Sequence, residues 1–91
     1  MSEFKIKAGY IRYDTNFITY DTSGFVTSDC NSIVFINYGT NPVQIESVTL
    51  QTGQSLVIEG NAGEFTTQKF LAKFTGAGTN NLVTVKKNYI G

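Results

Sequence analysis

The chain has 91 residues, a length that allows one small domain and excludes a second. It is 41% hydrophobic and 15% charged, and its seven basic residues balance its seven acidic ones. Because there is no net charge, no electrostatic field draws the chain to nucleic acid or to an anionic membrane surface. We therefore predict a single domain over residues 1–91 that binds neither nucleic acid nor membrane.

The N-terminal segment has the alternation of a strand. Its apolar residues at even positions share one face, namely Phe4, Ile6, Ala8 and Tyr10. The phase reverses after Gly9, which predicts a bulge or bend at that residue. A short strand from Phe17 to Tyr20 is predicted next, after the turn-favouring residues 14–16.

The clearest strand covers Ser32 to Tyr38, where apolar side chains point to both sides. Both of its faces are expected to be covered, in the middle of a sheet or at an interface. The apolar residues then change parity between residues 43–45 and 48–50. This change predicts a bulge near Glu46 and Ser47.

Later strands are predicted over residues 55–59, 64–74 and 82–86, and Val83 and Val85 are expected to point inward. Helical periodicity is nearly absent from the chain. Seven or eight antiparallel strands at intervals of about ten residues predict an all-β fold. A single small β-sandwich or jelly-roll-like domain is the expected architecture, with a barrel as the other natural arrangement.

The residues on which most enzymes rely are missing. The sequence has no histidine, so Ser/His pairs, Cys/His pairs and His-based metal sites are absent. The lone Cys30 cannot form an internal disulfide and is expected to be a small, semi-buried side chain. No Lys-Ser or Lys-Thr follows the glycines at 76 and 78, so this stretch predicts a hairpin loop and not a phosphate loop.

Six of the seven acidic residues are predicted to be solvated caps or to make turn hydrogen bonds, in turns (Asp14, Asp21 and Asp29) or at strand ends (Glu46, Glu59 and Glu64). A calcium site is an alternative hypothesis, because four side chains with oxygen ligands could meet in space: Asp14, Asn16, Asp21 and Asp29. The ligand spacing of a calcium-binding loop is missing, however. We predict a protein that is not an enzyme and that needs no cofactor or metal.

Aromatic residues are abundant, with five Tyr, seven Phe and no Trp. Two interpretations are open. Either the Phe residues fill the core and the Tyr hydroxyls lie at its rim, or some of the aromatic residues form an exposed contact surface. The contact surface would comprise Tyr10, Tyr13, Phe17 and Tyr20, which lie close together in the first third of the chain. These four residues are our candidate interface.

Several strand-and-turn segments between residues 32 and 90 form a pattern. They are Ile36-Asn37-Tyr38-Gly39-Thr40, Val43-Gln44-Ile45, Thr52-Gly53-Gln54-Ser55-Leu56, Gly60-Asn61 with Glu64, and Asn80-Asn81-Leu82-Val83-Thr84-Val85-Lys86-Lys87. This pattern resembles small β-sandwich virion proteins of tailed bacteriophages, which decorate capsids, form head fibres or belong to tails. It contains no catalytic or ligand motif and assigns no role to a single residue.

The resemblance implies a structural virion protein that is made in the cytoplasm of a bacterial host. Its implied partners are other virion or capsid proteins and further copies of itself, in a homo-oligomer or bound to a lattice. Residues Met1 to Lys5 have neither the basic nor the apolar region of a signal peptide, which agrees with synthesis and folding in a cytoplasm.

Two other functions stay open. A carbohydrate-binding module would stack surface Tyr rings on sugars beside Asn, Gln and Asp side chains, although the absence of Trp counts against it. A small inhibitor or adaptor would recognise one host protein through loops such as residues 60–64 and 76–81.

Overall fold

The computed structural model describes residues 13–61 and 63–89. They form eight strands: β1 (Tyr13–Tyr20), β2 (Gly24–Thr27), β3 (Ser32–Asn37), β4 (Val43–Ile45), β5 (Val48–Leu50), β6 (Ser55–Ile58), β7 (Lys69–Phe74) and β8 (Leu82–Tyr89). None of these residues lies in a helix, and so the described chain holds no helix that is long and apolar enough to cross a membrane.

The strands form two four-stranded antiparallel sheets that pack together. The first sheet has the order β1-β8-β3-β6, and the second has the order β2-β7-β4-β5. The first strand thus pairs with the last, the second with the seventh, the third with the sixth and the fourth with the fifth. This nesting is that of one long hairpin rolled up into a sandwich, which is a jelly roll. The predicted all-β fold, a small β-sandwich or jelly-roll-like domain of seven or eight antiparallel strands, is confirmed.

The core lies between the two sheets. The first sheet contributes Ile33, Phe35 and Leu82, and the second contributes Val26, Val43, Ile45, Leu50, Phe70 and Ala72. Phe35 and Phe70 meet edge to face across the sandwich, with ring centroids 5.3 Å apart and an interplanar angle of 70°. Aromatic pairs favour this geometry because the positive edge of one ring meets the negative face of the other.

Strand β1 is longer than predicted. Residues 14–16 were expected to form a turn before the strand, but they belong to β1. They lie opposite residues 86–88 of β8. Strand propensities span only about 1 kcal/mol and depend on context, and pairing along β8 satisfies the backbone groups of these residues that face β8.

The prediction that Val83 and Val85 point inward is wrong. The register places Thr84 of β8 opposite Phe35 of β3, and directly opposed residues share a face of the sheet. Because Phe35 is fully buried, Thr84 points into the sandwich, and the two valines point away from it. The buried hydroxyl of Thr84 donates a hydrogen bond to the carbonyl oxygen of Ile18, 3.2 Å away.

The bulge predicted at Glu46 and Ser47 is also wrong, because these residues form the two-residue loop of a hairpin. Ile45 and Val48 lie directly opposite each other on either side of the loop, so the change of parity marks a chain reversal. Glu46 has a φ of 54°. Its amide donates to the carbonyl oxygen of Leu71 at 2.9 Å, and its carboxylate accepts from the Leu71 amide at 2.7 Å.

A buried asparagine joins the end of β3 to two neighbouring segments. The side-chain amide of Asn37 is fully buried and donates to the carbonyl oxygens of Asn41 and Leu50, each 2.9 Å away. Its Oδ1 accepts the amide of Gly39 at 3.0 Å. The amide group therefore bonds with both its donor and its acceptor ends, as a buried polar group must to avoid a desolvation penalty.

Candidate functional site

An apolar row crosses the outer face of the first sheet from one edge to the other. Phe17 of β1 lies opposite Val85 of β8, Val85 lies opposite Val34 of β3, and Val34 lies opposite Val57 of β6. Because opposed residues share a face, these four side chains form one continuous row on the side away from the core. Cross-strand neighbours of this kind are close enough to present a single surface to a partner.

A second row beside the first widens this surface. It runs from Thr19 through Val83 and Ile36 to Ser55. We use the name outer apolar face for the six apolar residues of the two rows: Phe17, Val34, Ile36, Val57, Val83 and Val85. An antiparallel sheet with one face on the core normally has polar residues on the other face, and here that alternation fails.

The outer apolar face is accessible to solvent and nearly uncharged. The Phe17 side chain is 70% exposed and Val57 is 50% exposed, at the two edges of the sheet. Val34 and Val85 in the middle are half-buried. Among the described strand residues on the outer side of the first sheet, one carries a charge: Lys87, near one end of β8.

The structure describes three of the four residues that are predicted as an interface, namely Tyr13, Phe17 and Tyr20. Tyr10 lies outside the described residues. Tyr13 and Phe17 lie on the outer side of β1 and are 56% and 70% exposed, and the Lys87 ammonium stands 5.4 Å from the centre of the Tyr13 ring. Tyr20 has the opposite parity and packs against the core. Of the three predicted residues that the structure describes, Phe17 is the one that belongs to the outer apolar face.

The sequence analysis did not predict that the valines of the outer apolar face form an exposed surface. Leu82 and Thr84 alternate with Val83 and Val85, and both pairs suit a strand. The apolar side chains on both sides of the Ser32 to Tyr38 segment were the available signal, since they indicated a strand with two covered faces. β3 does lie in the middle of its sheet, between β8 and β6.

A cleft lies at one end of the sandwich, between the end of β6 and the chain that leads to β7. Its volume is about 480 Å³, and its lining consists of Asn31, Ile58, Glu59, Gly60, Glu64, Phe65 and Thr66. The buried Asn31 holds the loop in place, because its side-chain amide donates to the carbonyl oxygens of Asn61 at 2.6 Å and Glu64 at 2.9 Å. The Phe65 ring is 61% exposed. An exposed ring in a cleft that Glu59 and Glu64 also line can stack on a sugar or hold a cationic side chain.

The single thiol is shielded from solvent. Cys30 is fully buried, and a bridge pairs its backbone with that of Thr66. Burial raises the pKa of the Cys30 thiol above its usual value, the nearby Lys86 acts in the opposite direction, and Asp29 adds to the increase. Since the thiolate is the reactive form, Cys30 is an inert core residue in the folded protein.

The calcium hypothesis finds no support among residues 13–61 and 63–89. No three side chains of Asp, Glu, Cys or His come together there as metal ligands, and so Asp14, Asp21 and Asp29 do not form a shared site.

The fold and the surface together define the chain as a small all-β jelly-roll domain with one apolar outer sheet face. Comparison with family models, curated proteins and solved structures finds no match to the chain.

Proposed function

We propose that the protein is a non-enzymatic structural component of a bacteriophage virion, a capsid-decoration, head-fibre or tail-associated protein that acts by protein-protein assembly. The observation that carries the proposal is the apolar row from Phe17 to Val57, which spans all four strands of the first sheet on its solvent side. In an assembled particle, a neighbouring virion protein covers this row.

The size of the outer apolar face supports a docking role. The two rows cross four strands that lie about 4.8 Å apart and occupy about 14 Å along the strands, which is roughly 260 Å² of sheet surface. Exposed apolar patches of a few hundred Å² often bind partners. Complete burial of an exposed Phe or Val side chain contributes about 1.5 to 3 kcal/mol, and Phe17 and Val57, which are 70% and 50% exposed, would gain a corresponding fraction of that when a partner covers them.

The architecture is compatible with a virion role. Eight-stranded jelly rolls form viral capsid domains and also lectin domains. The fold is therefore compatible with a virion role and with sugar binding, and it does not distinguish between them. The resemblance of residues 32–90 to small phage virion proteins favours the first. On this proposal the protein is made in the cytoplasm of the bacterial host and resides in the virion.

The chemistry of the side chains supports binding more than catalysis. The sequence has no histidine, and the one thiol is buried with a raised pKa. The chain therefore lacks the nucleophile and base pairs that activate most hydrolytic and acyl-transfer sites.

Fractionation of native material tests the proposal. Particles from the source are separated on a density gradient, and the polypeptide is quantified by mass spectrometry in each fraction. We expect it at fixed stoichiometry with large particles after a high-salt wash, because an apolar contact resists salt. Recovery only among small soluble species would overturn the virion assignment.

A carbohydrate-binding function is the second candidate, and the cleft at the end of β6 favours it. The exposed Phe65 ring supplies a stacking platform in a cleft that Glu59 also lines. A glycan array probed with the wild type and with Phe65→Ala distinguishes the candidates. Binding to one glycan that is lost in Phe65→Ala would support the sugar-binding role, and an array without any ligand would count against it.

A further inference from the structure

The cleft at the end of β6 combines an aromatic ring with two carboxylates. Its volume of about 480 Å³ lies within the range of roughly 300 to 1,000 Å³ that is usual for ligand-binding clefts. Phe65, Glu59 and Glu64 line it, and all three residues are exposed. Among its described lining residues, the two charged side chains are both carboxylates. The cleft therefore offers a ligand negative charge and an aromatic face together.

The backbone that carries the Phe65 ring is fixed on both sides. On one side, the carbonyl oxygen of Glu64 accepts a hydrogen bond from the side-chain amide of Asn31 at 2.9 Å. On the other side, the amide of Thr66 donates to the carbonyl oxygen of Cys30 at 2.8 Å. Because Asn31 and Cys30 are buried, these bonds anchor the segment to the interior of the sandwich. The exposed ring is thus presented on a backbone that is already ordered before a ligand arrives, which lowers the entropic cost of binding.

The Glu64 carboxylate is also held in place. Its Oε1 accepts the backbone amide of Asn61 at 2.7 Å, and its Oε2 accepts the Asn61 side-chain amide at 3.4 Å. The side-chain amide of Asn31 donates to the carbonyl oxygen of Asn61 at 2.6 Å and so ties this turn to the interior. A carboxylate has about four acceptor sites, and the two bonds from Asn61 use two of them. The turn therefore orients a carboxylate that can accept further N–H groups from a ligand.

We infer that the cleft at the end of β6 binds an arginine side chain of a neighbouring virion protein. The inference rests on the proposed function and deepens it, because it names a chemical group that the partner presents. A guanidinium is a planar cation that stacks on an aromatic face and donates parallel N–H groups to a carboxylate. The cleft supplies both kinds of contact, and it adds a salt-sensitive contact to the apolar one on the first sheet.

Charge complementarity selects this occupant. The ring quadrupole and the carboxylates both attract a cation, and both attractions strengthen when a partner excludes water from the cleft. A neutral side chain of the same shape gains neither of them. An acidic side chain is repelled by Glu59 and Glu64, because like charges brought together at an interface are unfavourable.

A sugar is the other class of ligand that a Phe ring and carboxylates can hold. Sugar hydroxyls are neutral, so a sugar binds through stacking and hydrogen bonds, with little dependence on salt. An arginine side chain carries a positive charge, and its affinity falls as salt screens the attraction. The responses to ligand charge and to salt therefore separate the two ligands.

Titration of the full chain with N-acetylarginine amide, followed by NMR chemical shifts, tests the inference. N-acetylcitrulline amide is the matched probe, because it has nearly the same shape and is neutral. Phe65→Leu removes the ring, whereas Glu59→Gln and Glu64→Gln each remove one charge and keep the size of the side chain. Phe25→Leu is the matched control, because Phe25 is 66% exposed on β2 of the other sheet. Circular dichroism and urea unfolding check that each variant folds.

We expect shifts at the amides of residue 31 and of residues 58–61 and 63–66, with a Kd in the millimolar range for the single side chain. The citrulline probe should bind at least about tenfold more weakly, because it lacks the charge. Each of the three lining variants should raise the Kd at least about threefold, and Phe25→Leu should leave it unchanged. An increase from about 0.05 M to about 0.5 M NaCl should also weaken binding.

Several results would overturn the inference. They are an absence of shifts, shifts away from the cleft, equal binding of the citrulline probe, and an affinity that no lining variant changes. A methyl glycoside that binds the cleft more tightly than the arginine probe would overturn it in favour of a sugar. Shifts of the same amides that depend on protein concentration without any probe would overturn it in favour of a second copy of the chain.

The inference and the proposed function fail in different ways. A protein that sediments with particles but does not bind the arginine probe would contradict the cleft assignment and leave the virion role standing. A protein that binds the probe in the cleft but is absent from every particle fraction would contradict the virion role and leave the cation site standing.

Discussion

Substitution of Asn37 by Asp tests whether the buried amide at the end of β3 is a structural clamp. Aspartate has nearly the same shape, but it loses the Nδ2 group that donates to the carbonyl oxygens of Asn41 and Leu50 at 2.9 Å each. Each lost hydrogen bond costs about 1 kcal/mol. The new carboxylate oxygen then faces two buried carbonyl oxygens without a donor, which adds about 1 to 3 kcal/mol.

We therefore expect Asn37→Asp to lower the free energy of unfolding by about 3 to 5 kcal/mol near pH 7, out of a total of about 5 to 10 kcal/mol for a domain of this size. Urea denaturation followed by circular dichroism gives this difference, because the midpoint shifts with stability when the slope is unchanged. Burial beside carbonyl oxygens raises the pKa of the introduced carboxyl in the folded state. The deficit relative to the wild type should therefore shrink as the pH falls through that raised pKa.

Asn80→Asp is a matched control, since Asn80 is a partly exposed asparagine whose side-chain amide donates to the carbonyl oxygen of Asp21 at 3.1 Å. Its loss should cost less than about 1 kcal/mol because solvent can replace the bond. An Asn37→Asp protein that folds normally and unfolds within 1 kcal/mol of the wild type at pH 7 would refute the role that we assign to the amide.

Three further predictions concern the core and one turn. Cys30 should react slowly with a thiol reagent at pH 8 in the folded protein and quickly in urea, because burial raises the pKa of its thiol. The contribution of Cys30 to stability is therefore complete below the usual thiol pKa of about 8.5 and is lost as the pH rises through the pKa of the folded state. Cys30→Ala should not show this loss. Gly39→Ala should lower the free energy of unfolding in urea by at least about 2 kcal/mol, because a Cβ there would lie 2.5 Å from the backbone oxygen of Thr79. Gly53→Ala should cost about 1 kcal/mol, because only its φ of 84° opposes a side chain there. Phe35→Ala should cost about 3 to 5 kcal/mol, and a smaller loss would mean that the core collapses around the missing ring.

Local patterns located most of the strands, but the order of the strands lay beyond them. The predicted strand from Ser32 to Tyr38 corresponds to β3, in which Ile33 and Phe35 share the face that the core buries. The jelly-roll order depends on pairs that are far apart in sequence, such as Tyr13 with Tyr89. Such pairs form through mutual burial and register, which no single segment encodes.

The outer apolar face was only partly predictable, for a reason that β8 makes clear. Valine and threonine are both β-branched and fit a strand equally well, so the alternation of Thr84 with Val85 leaves the buried side undecided. The carbonyl oxygen of Ile18, which accepts the Thr84 hydroxyl, comes from a strand 66 residues earlier in the sequence and decides it. Phe17 was predicted as a contact residue because aromatic residues cluster in the first third of the chain, and its role as a contact remains a prediction.

The most direct test of the central claim is to measure how the outer apolar face contributes to particle binding. Wild type, Val57→Lys and the control Phe25→Lys are each added to native particles that have been depleted of the protein, and the bound fraction is measured by co-sedimentation. Val57 is 50% exposed at the end of the apolar row, and Phe25 is 66% exposed on the other sheet, so neither substitution should unfold the domain. We expect the wild type and Phe25→Lys to bind alike and Val57→Lys to bind at least tenfold more weakly. Equal binding by all three proteins, or a loss confined to Phe25→Lys, would contradict the assignment of this face as the docking surface.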